Sequence, residues 1–138
     1  MTDAVVVLDA FAVVAFIEDE PGAAEVEAIL TRAGGADLAV LISAVNLGEA
    51  WYALGRAYGP DAADERIAAL LDLGLAVVSA DWDLARAAAD FKRTGGVSFA
   101  DCFAAALAVR NDAPVVTGDP EFKRLGAGVR VQWLPQRG

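Results

Sequence analysis

Short runs of β-branched and other apolar residues alternate along the chain with segments of helical periodicity, and this alternation constrains the fold more than any other feature of the sequence. The predicted strands are Ala4–Leu8, Ala39–Ile42, Leu75–Val78, Pro114–Thr117 and Val129–Trp133. The first, third and fourth are almost uninterrupted apolar runs, which is typical of parallel strands buried on both faces. The alternation predicts an α/β fold, a three-layer α/β/α sandwich with a mainly parallel central sheet.

Helices between these strands are predicted from periodicity and from residues that suit helix ends. Pro21 fits the first turn of a helix, and Ser43 and Ser98 fit N-cap positions. The predicted helices start near Pro21 and run from Ser43 to about Tyr58, from about Asp61 to Leu73, from Trp82 to about Arg93, and from Ser98 to near Asn111. No linker, repeat or low-complexity segment divides the chain, so we expect a single domain over residues 1–138.

Residue types that are missing or rare exclude several kinds of chemistry. The chain has no histidine, which excludes Ser-His-Asp and Cys-His catalysis and the usual zinc sites. Its one cysteine, Cys102, cannot form an internal disulfide, and its apolar neighbours predict that it packs in the core. Acid–base or metal chemistry in this chain therefore depends on carboxylates.

Net charge and hydropathy limit the kinds of partner that this protein can have. The formal net charge of -9 argues against nucleic acid, unless the acids gather at a divalent cation that reverses the local field. No apolar stretch reaches the roughly 18 to 20 residues of a membrane span. The N-terminal MTDAVVVLDA has acids where a signal peptide has lysines, so we expect a cytoplasmic protein without membrane contact. The apolar fraction of 57% suggests that a partner or a second copy covers part of the surface.

Four acidic residues fall where the predicted elements meet one edge of the sheet. Asp9 directly follows the first strand, and Asp119 follows the fourth after one glycine. Glu49 lies about two turns into the helix after the second strand, and Asp101 lies in the first turn of a later helix. Each alone has a structural explanation as a turn residue, a solvated helix position or part of a helix cap. Because ligands bind beyond the carboxyl ends of parallel strands, the four together predict one shared site.

The chemistry of such a site follows from its ligands. Carboxylates gathered in one place repel one another and raise the pKa of at least one of them, unless a cation is bound. A site that offers only oxygen ligands suits Mg²⁺ or Mn²⁺ rather than zinc. Hydrolysis of phosphate esters is the reaction that such a site serves best. The sequence leaves the number of metal ions, one or two, open.

Four segments in order carry a resemblance to a known family: VVVLDA, NLGEAWY, SFADCFAAALA and PVVTGDPEFKRL. This order resembles PIN-domain ribonucleases and, within them, the VapC-like toxins, and it covers nearly the whole chain. TGDPEF behind a buried strand and the FAD that opens an alanine-rich helix are the most specific pieces. The resemblance implies an endoribonuclease that depends on Mg²⁺ or Mn²⁺, forms a homodimer and is inhibited by a small cognate antitoxin. It also implies that the metal-binding and catalytic residues are Asp9, Glu49, Asp101 and Asp119.

The sequence departs from the family at Phe11. The family commonly has a small hydroxyl residue two positions after its first aspartate, which here is Asp9. A hydroxyl there can hydrogen-bond toward the metal site, and phenylalanine cannot. We therefore expect an altered geometry at Asp9 or a low rate of cleavage.

Contacts with an RNA substrate are predicted from basic pairs and one hydroxyl near these motifs. One pair precedes the Gly95-Gly96 loop and the other follows Asp119. The basic residues also fit solvated helix faces. Trp51 and Tyr52 could stack on RNA bases, but helix packing or a partner groove is the favoured interpretation for both. The candidate substrate-binding residues are Lys92, Arg93, Lys123, Arg124 and Thr117.

Other function classes stay open. A receiver-like phosphotransfer domain also gathers acids at a sheet edge, but it is expected to have a lysine at the end of a late strand, where this chain has Asp119. A haloacid-dehalogenase-like phosphatase needs a second aspartate at the position of Phe11. A non-catalytic PIN module is supported by Phe11 and opposed by the complete acidic set, and a cleavage assay separates it from a nuclease.

Overall fold

The computed structural model describes residues 3–135 and has a parallel five-stranded sheet at its centre. The strands are β1 (Val5–Leu8), β2 (Ala39–Ser43), β3 (Leu75–Val78), β4 (Val115–Thr117) and β5 (Val131–Trp133). Their order across the sheet is β3-β2-β1-β4-β5, and every neighbouring pair is parallel. The chain adds β2 and β3 on one side of β1, and then β4 and β5 on the other. The topological switch point, where open α/β sheets bind ligands, therefore lies between β1 and β4.

Helices connect the strands, and side-chain caps determine where several of them begin. The helices are α1 (Ala10–Ile17), α2 (Ala23–Gly34), α3 (Ala44–Tyr58), α4 (Pro60–Asp72), α5 (Trp82–Thr94), α6 (Phe99–Arg110) and a 3₁₀ helix (Pro120–Gly128). Asp9 caps α1, and Ser43 and Ser98 cap α3 and α6, each by accepting a hydrogen bond from a backbone N–H of the first turn. The two serine caps confirm the predicted helix starts.

Separate apolar clusters cover the two faces of the sheet. Helices α1 to α4 pack on one face, where Val6, Leu8 and Val40 are buried. Helices α5 and α6 pack on the other face, against Val7 and Val115. Neighbouring residues of a strand point to opposite faces, which explains why β1 is apolar at every position. The arrangement confirms the predicted three-layer α/β/α architecture.

Helix α6 is buried almost all round, from Asp101 to Ala108. It packs against α5, α3 and the strands β1 and β2, and its alanines allow these elements to approach closely. Cys102 is fully buried in this helix, which confirms that it packs in the core. Part of the high apolar content of the sequence is therefore used inside the molecule.

Several sequence-based expectations about local structure are wrong. β3 is an edge strand, so Ala76 and Val77 are exposed instead of buried on both faces. Pro21 precedes α2, whose N-cap is Gly22 with a left-handed φ of 102°. The patterns do not predict α1, whose eight apolar residues show no helical alternation, and they do not predict the 3₁₀ helix.

Two expectations concern the whole chain. A single domain over residues 1–138 stays a prediction, and residues 1–2 and 136–138 lie outside the described part. Within residues 3–135, no helix is long and apolar enough to span a membrane.

Candidate functional site

An open pocket of about 450 Å³ lies at the topological switch point, beside the carboxyl ends of β1 and β4. The N-terminal turns of α1 and α6 and the middle of α3 form its walls. The acidic residues that line it are Asp9, Glu49, Asp101, Asp119 and Glu121. The structure thus brings together the four acids that the sequence singled out and adds a fifth.

Asp9 forms the closed end of the pocket and is only 2% exposed. Its Oδ1 accepts a hydrogen bond from the backbone N–H of Ala12 at 3.0 Å, which is the N-cap interaction of α1. Its Oδ2 accepts a hydrogen bond from the hydroxyl of Thr117. Burial, with smaller contributions from the charges of Asp101 and Asp119, raises the pKa of Asp9 from 3.8 to about 7, although both hydrogen bonds act to lower it. The pocket therefore holds a carboxylate whose charge needs compensation.

Thr117 connects the two central strands at this end. Its hydroxyl donates to Asp9 and accepts a hydrogen bond from the backbone N–H of Asp119 at 3.0 Å. Thr117 is fully buried, so its two hydrogen bonds hold Asp9 and Asp119 in fixed positions relative to each other. This placement favours a positioning role, and direct contact of Thr117 with a substrate stays a prediction.

Three carboxylates crowd the open end of the pocket. Oxygens of Asp101, Asp119 and Glu121 lie within 4.8 Å of one another. Oδ1 of Asp119 accepts a hydrogen bond from the backbone N–H of Glu121 at 3.0 Å, which starts the 3₁₀ helix and turns Glu121 toward the others. Burial and then the charge of Asp119 raise the pKa of Asp101 from 3.8 to about 7. Like charges at this distance favour a bound cation.

Glu49 lies on α3, and Asn46 ties that helix to α6. The backbone N–H of Asn46 donates to Ser43, and its amide nitrogen donates to the carbonyl of Ala100 at 3.0 Å. Asn46 is fully buried, and its bond to Ala100 joins α3, which carries Glu49, to the first turn of α6, which carries Asp101. Burial raises the pKa of Glu49 above its ordinary value, and the charge of Asp119 adds to the effect. Asn46 was not among the predicted site residues, although it lies three residues after the helix cap Ser43.

The donor set fits a hard divalent cation. Every charged side chain that lines the pocket, among the described residues, is a carboxylate, and Mg²⁺ or Mn²⁺ prefers such ligands. Within residues 3–135 the one group of three or more acids close enough to share an ion is Asp101, Asp119 and Glu121. Asp9 and Glu49 line the same pocket outside that group, and their role as metal ligands stays a prediction.

Glu121 is the acidic residue that sequence reasoning missed. It stands two positions after Asp119 in TGDPEF, the segment that carries most of the resemblance. The turn begun by the Asp119 cap brings its side chain back to the pocket. Because proline is favoured in the first turn of a helix, Asp119 followed by Pro120 indicates that a helix starts there.

The predicted substrate-binding cations lie outside the pocket lining and already have partners. Nζ of Lys92 donates to the carbonyl of Val97 at 2.8 Å, and Arg124 donates to the carbonyl of Gly96 at 3.1 Å. Both therefore hold the loop that leads to α6. Arg93 pairs with Asp90 on the surface, and Nζ of Lys123 lies 5.7 Å from the centroid of the Trp133 ring. Contact of these four cations with a substrate stays a prediction.

Comparisons with known proteins agree with this architecture. The sequence matches the PIN domain family over residues 6–128. No curated protein sequence matches the chain. The fold is similar to VapBC2 from Rickettsia felis bound to a DNA fragment from its promoter, with a TM-score of 0.73 and 15% identity over 95% of this chain and 99% of that one.

Two structures from Mycobacterium tuberculosis are similar as well. VapC20, a sarcin–ricin loop cleaving toxin, has a TM-score of 0.70 and 20% identity over 94% of this chain and 99% of that one. VapBC-5, a member of the VapBC family of toxin–antitoxin systems, has a TM-score of 0.62 and 25% identity over 95% and 99% of the two chains. The family match and these structures confirm the resemblance that the order of motifs indicated.

Proposed function

The chain belongs to the PIN domain family, and on this premise we propose that it is an endoribonuclease that depends on Mg²⁺ or Mn²⁺. The observation that carries the proposal is the crowding of Asp101, Asp119 and Glu121 within 4.8 Å at the switch point of the sheet. A cluster of carboxylates without a cation is costly, and one with a divalent cation attracts phosphate. A metal ion at this site would therefore allow a chain with a net charge of -9 to bind the phosphates of RNA.

In this proposal the acidic residues of the pocket have different roles. Asp101, Asp119 and Glu121 would hold the cation at the open end, and Asp9 would add its charge from the closed end. When bound, the cation supplies Lewis-acid activation of water and neutralises charge that develops on the phosphate. Glu49, whose pKa is raised by burial, accepts the proton of the attacking water. Thr117 keeps Asp9 and Asp119 aligned through its two hydrogen bonds.

The products follow from water as the nucleophile. The water oxygen forms a bond to phosphorus, the bond from phosphorus to the 3′ oxygen breaks, and that oxygen takes a proton from solvent water. The fragments then end in a 5′-phosphate and a 3′-hydroxyl. Attack by the 2′-hydroxyl of the RNA leaves a cyclic phosphate instead, and the histidines that usually serve that route are missing from this chain.

We also propose that the protein is the toxin of a toxin–antitoxin pair and acts in the cytoplasm as a homodimer. Support comes from the similarity of the fold to VapBC proteins from Rickettsia felis and Mycobacterium tuberculosis. Exposed side chains such as Leu73, Trp82 and Val109 offer apolar surface for such partners. An arginine or lysine of the antitoxin that enters the acidic pocket would compete with the metal. Co-expression with the neighbouring gene should give a complex with reduced Mg²⁺ affinity, and unchanged affinity would refute this competition.

Cleavage of end-labelled single-stranded RNA tests the proposed reaction. We expect cleavage with Mg²⁺ or Mn²⁺, none with EDTA, and none by Asp101→Asn. Asp83→Asn is a matched control, because Asp83 lies in the first turn of α5 just as Asp101 lies in the first turn of α6. Cleavage that survives EDTA, or products that end in a cyclic phosphate, would contradict the mechanism. A folded, metal-binding protein that cleaves nothing would favour the non-catalytic PIN module.

A further inference from the structure

Two aromatic side chains, Phe11 and Tyr52, line the acidic pocket. Hydrolysis of a phosphate ester at a metal site does not require either ring. Both side chains line the pocket together with Asp9 and Asp119. Phe11 is 36% exposed and Tyr52 is 59% exposed. Exposed aromatic surface beside a charged site indicates a ligand that has a flat apolar face as well as a charge.

The structure of α1 holds Phe11 at this position. Ala12 and Val13 turn inward and are fully buried, whereas Phe11 lies on the side of the helix that faces the pocket. Its ring lies directly against Gly118, because a Cβ atom on that glycine would be 2.4 Å from Cε1 of Phe11. Gly118 immediately precedes Asp119, so the ring packs on the backbone that carries an acidic residue of the site.

Tyr52 is held beside a positive charge. It lies on α3 one turn after Glu49, and Arg56 follows one turn later. Arg56 donates a hydrogen bond to the Tyr52 hydroxyl at 3.4 Å, and its guanidinium lies 5.7 Å from the centroid of the tyrosine ring. The pocket edge therefore offers an aromatic face and a cation next to each other. A nucleotide, with its base and its phosphate, is complementary to this pair.

We propose that Phe11 and Tyr52 form a stacking platform for an unpaired nucleobase next to the phosphate that is cleaved. This inference rests on the proposed hydrolysis of RNA and names the form of RNA that the site accepts. Every nucleobase has a face that stacks on an aromatic ring, whereas a base inside a duplex already stacks on its neighbours. The platform therefore selects single-stranded or looped RNA over duplex RNA, and Arg56 contacts a neighbouring phosphate.

Substitutions that remove the aromatic face test the platform. Phe11→Leu keeps an apolar side chain against Gly118, Phe11→Tyr keeps the aromatic ring, and Tyr52→Leu tests the second ring independently. Phe99→Leu is the matched control, because Phe99 is also exposed but packs against Phe103. We would measure kcat and KM on single-stranded and duplex RNA. Separately, we would measure the fluorescence of RNA that carries 2-aminopurine, whose emission falls when it stacks, and check folding by thermal unfolding.

We expect Phe11→Leu and Tyr52→Leu to raise KM for single-stranded RNA about ten-fold, as the loss of one stacked base implies. Quenching of 2-aminopurine should be lost in both, while Phe11→Tyr and Phe99→Leu should behave like the unmodified protein. Unchanged KM and quenching in folded leucine variants would overturn the platform and assign the rings to contact with a protein partner. Quenching by a protein that cleaves no RNA would support the platform and refute the proposed hydrolysis.

Discussion

The acidic pocket has a closed end and an open end, which hold their carboxylates in different ways. At the closed end, Asp9 is almost inaccessible and each of its oxygens accepts a hydrogen bond, one from a backbone amide and one from Thr117. At the open end, Asp101, Asp119 and Glu121 crowd their oxygens within 4.8 Å. Protein donors reach both oxygens of Asp9, whereas at the open end Asp119 accepts a hydrogen bond from the backbone of Glu121 while the three carboxylates lie close to one another.

The two ends show that hydrogen bonds can orient a carboxylate without compensating its charge. Hydrogen bonds fix the geometry of Asp9, yet burial still raises its pKa to about 7, the same value that burial and Asp119 produce at Asp101. A divalent cation stabilises the charged form of the carboxylates at both ends. We therefore expect changes at the open end to act mainly on metal binding, and changes at the closed end to act on stability as well.

The largest expected effect is at the open end. Asp101→Asn removes one charge from the cluster, so it should weaken Mg²⁺ binding in calorimetry and reduce RNA cleavage by more than about a hundred-fold. Its melting temperature in EDTA should not fall, because the substitution also relieves repulsion between like charges. The Asp83→Asn variant provides the control for both measurements. Equal Mg²⁺ affinity in Asp101→Asn and the unmodified protein would remove Asp101 from the metal site.

The pH dependence of stability tests whether both ends lack charge compensation without metal. The folded pKa values of Asp9 and Asp101, about 7, lie above the ordinary value of 3.8. Between these values the folded state binds more protons than the unfolded state, so the free energy of unfolding should rise as pH falls from 8 to 5. In EDTA the melting temperature should follow this rise, and Asp9→Asn should flatten it. A melting temperature that only declines over this range would contradict the assignment.

Thr117→Val isolates the orientation of the closed end. The valine has nearly the same shape but cannot donate to Asp9 or accept from the Asp119 amide. We expect a loss of about 1 to 3 kcal/mol in stability and a loss of about 10- to 100-fold in metal affinity or activity. Thr117→Ser should restore most of both. Normal metal affinity in Thr117→Val would show that the alignment does not depend on this hydroxyl.

Gly118→Ala tests the contact between the β4 turn and Phe11. The new Cβ would lie 2.4 Å from Cε1 of the ring, so the ring or the turn must shift. Overpacking of this kind costs about 1 to 3 kcal/mol, and adding Phe11→Ser should recover most of that loss in chemical denaturation. Additive effects of the two substitutions would mean that they do not share this contact.

The smallest expected effects concern the cations beside the loop that leads to α6. Lys92→Ala and Arg124→Ala each remove a hydrogen bond to a loop carbonyl and should cost about 1 kcal/mol of stability. If these side chains also contact phosphate, RNA binding should weaken and its salt dependence should become flatter. Arg93→Ala is the comparison, since Arg93 pairs with Asp90 on the surface. An unchanged salt dependence in all three would leave Lys92 and Arg124 as loop supports only.

Much of the acidic site was predictable because it depends on strand ends. The carboxyl ends of parallel strands share one edge, so a sequence that predicts the strands also predicts that Asp9 and Asp119 lie close together. The helix cap Ser98 similarly placed Asp101 in a first turn at that edge. Glu121 escaped prediction because a 3₁₀ turn has no lasting periodicity, and it is that turn which brings Glu121 to the cluster.

The sequence by itself determined the alternation of elements, the helix caps and the absence of histidine, because these depend on local pattern and composition. Only the tertiary structure decided which partners distant side chains acquire. The strand order places β3 at the edge of the sheet. Lys92 and Arg124 donate hydrogen bonds to loop carbonyls, and the ring of Phe11 packs against Gly118. Residues far apart in sequence meet through strand order and helix packing, and local periodicity carries no information about either.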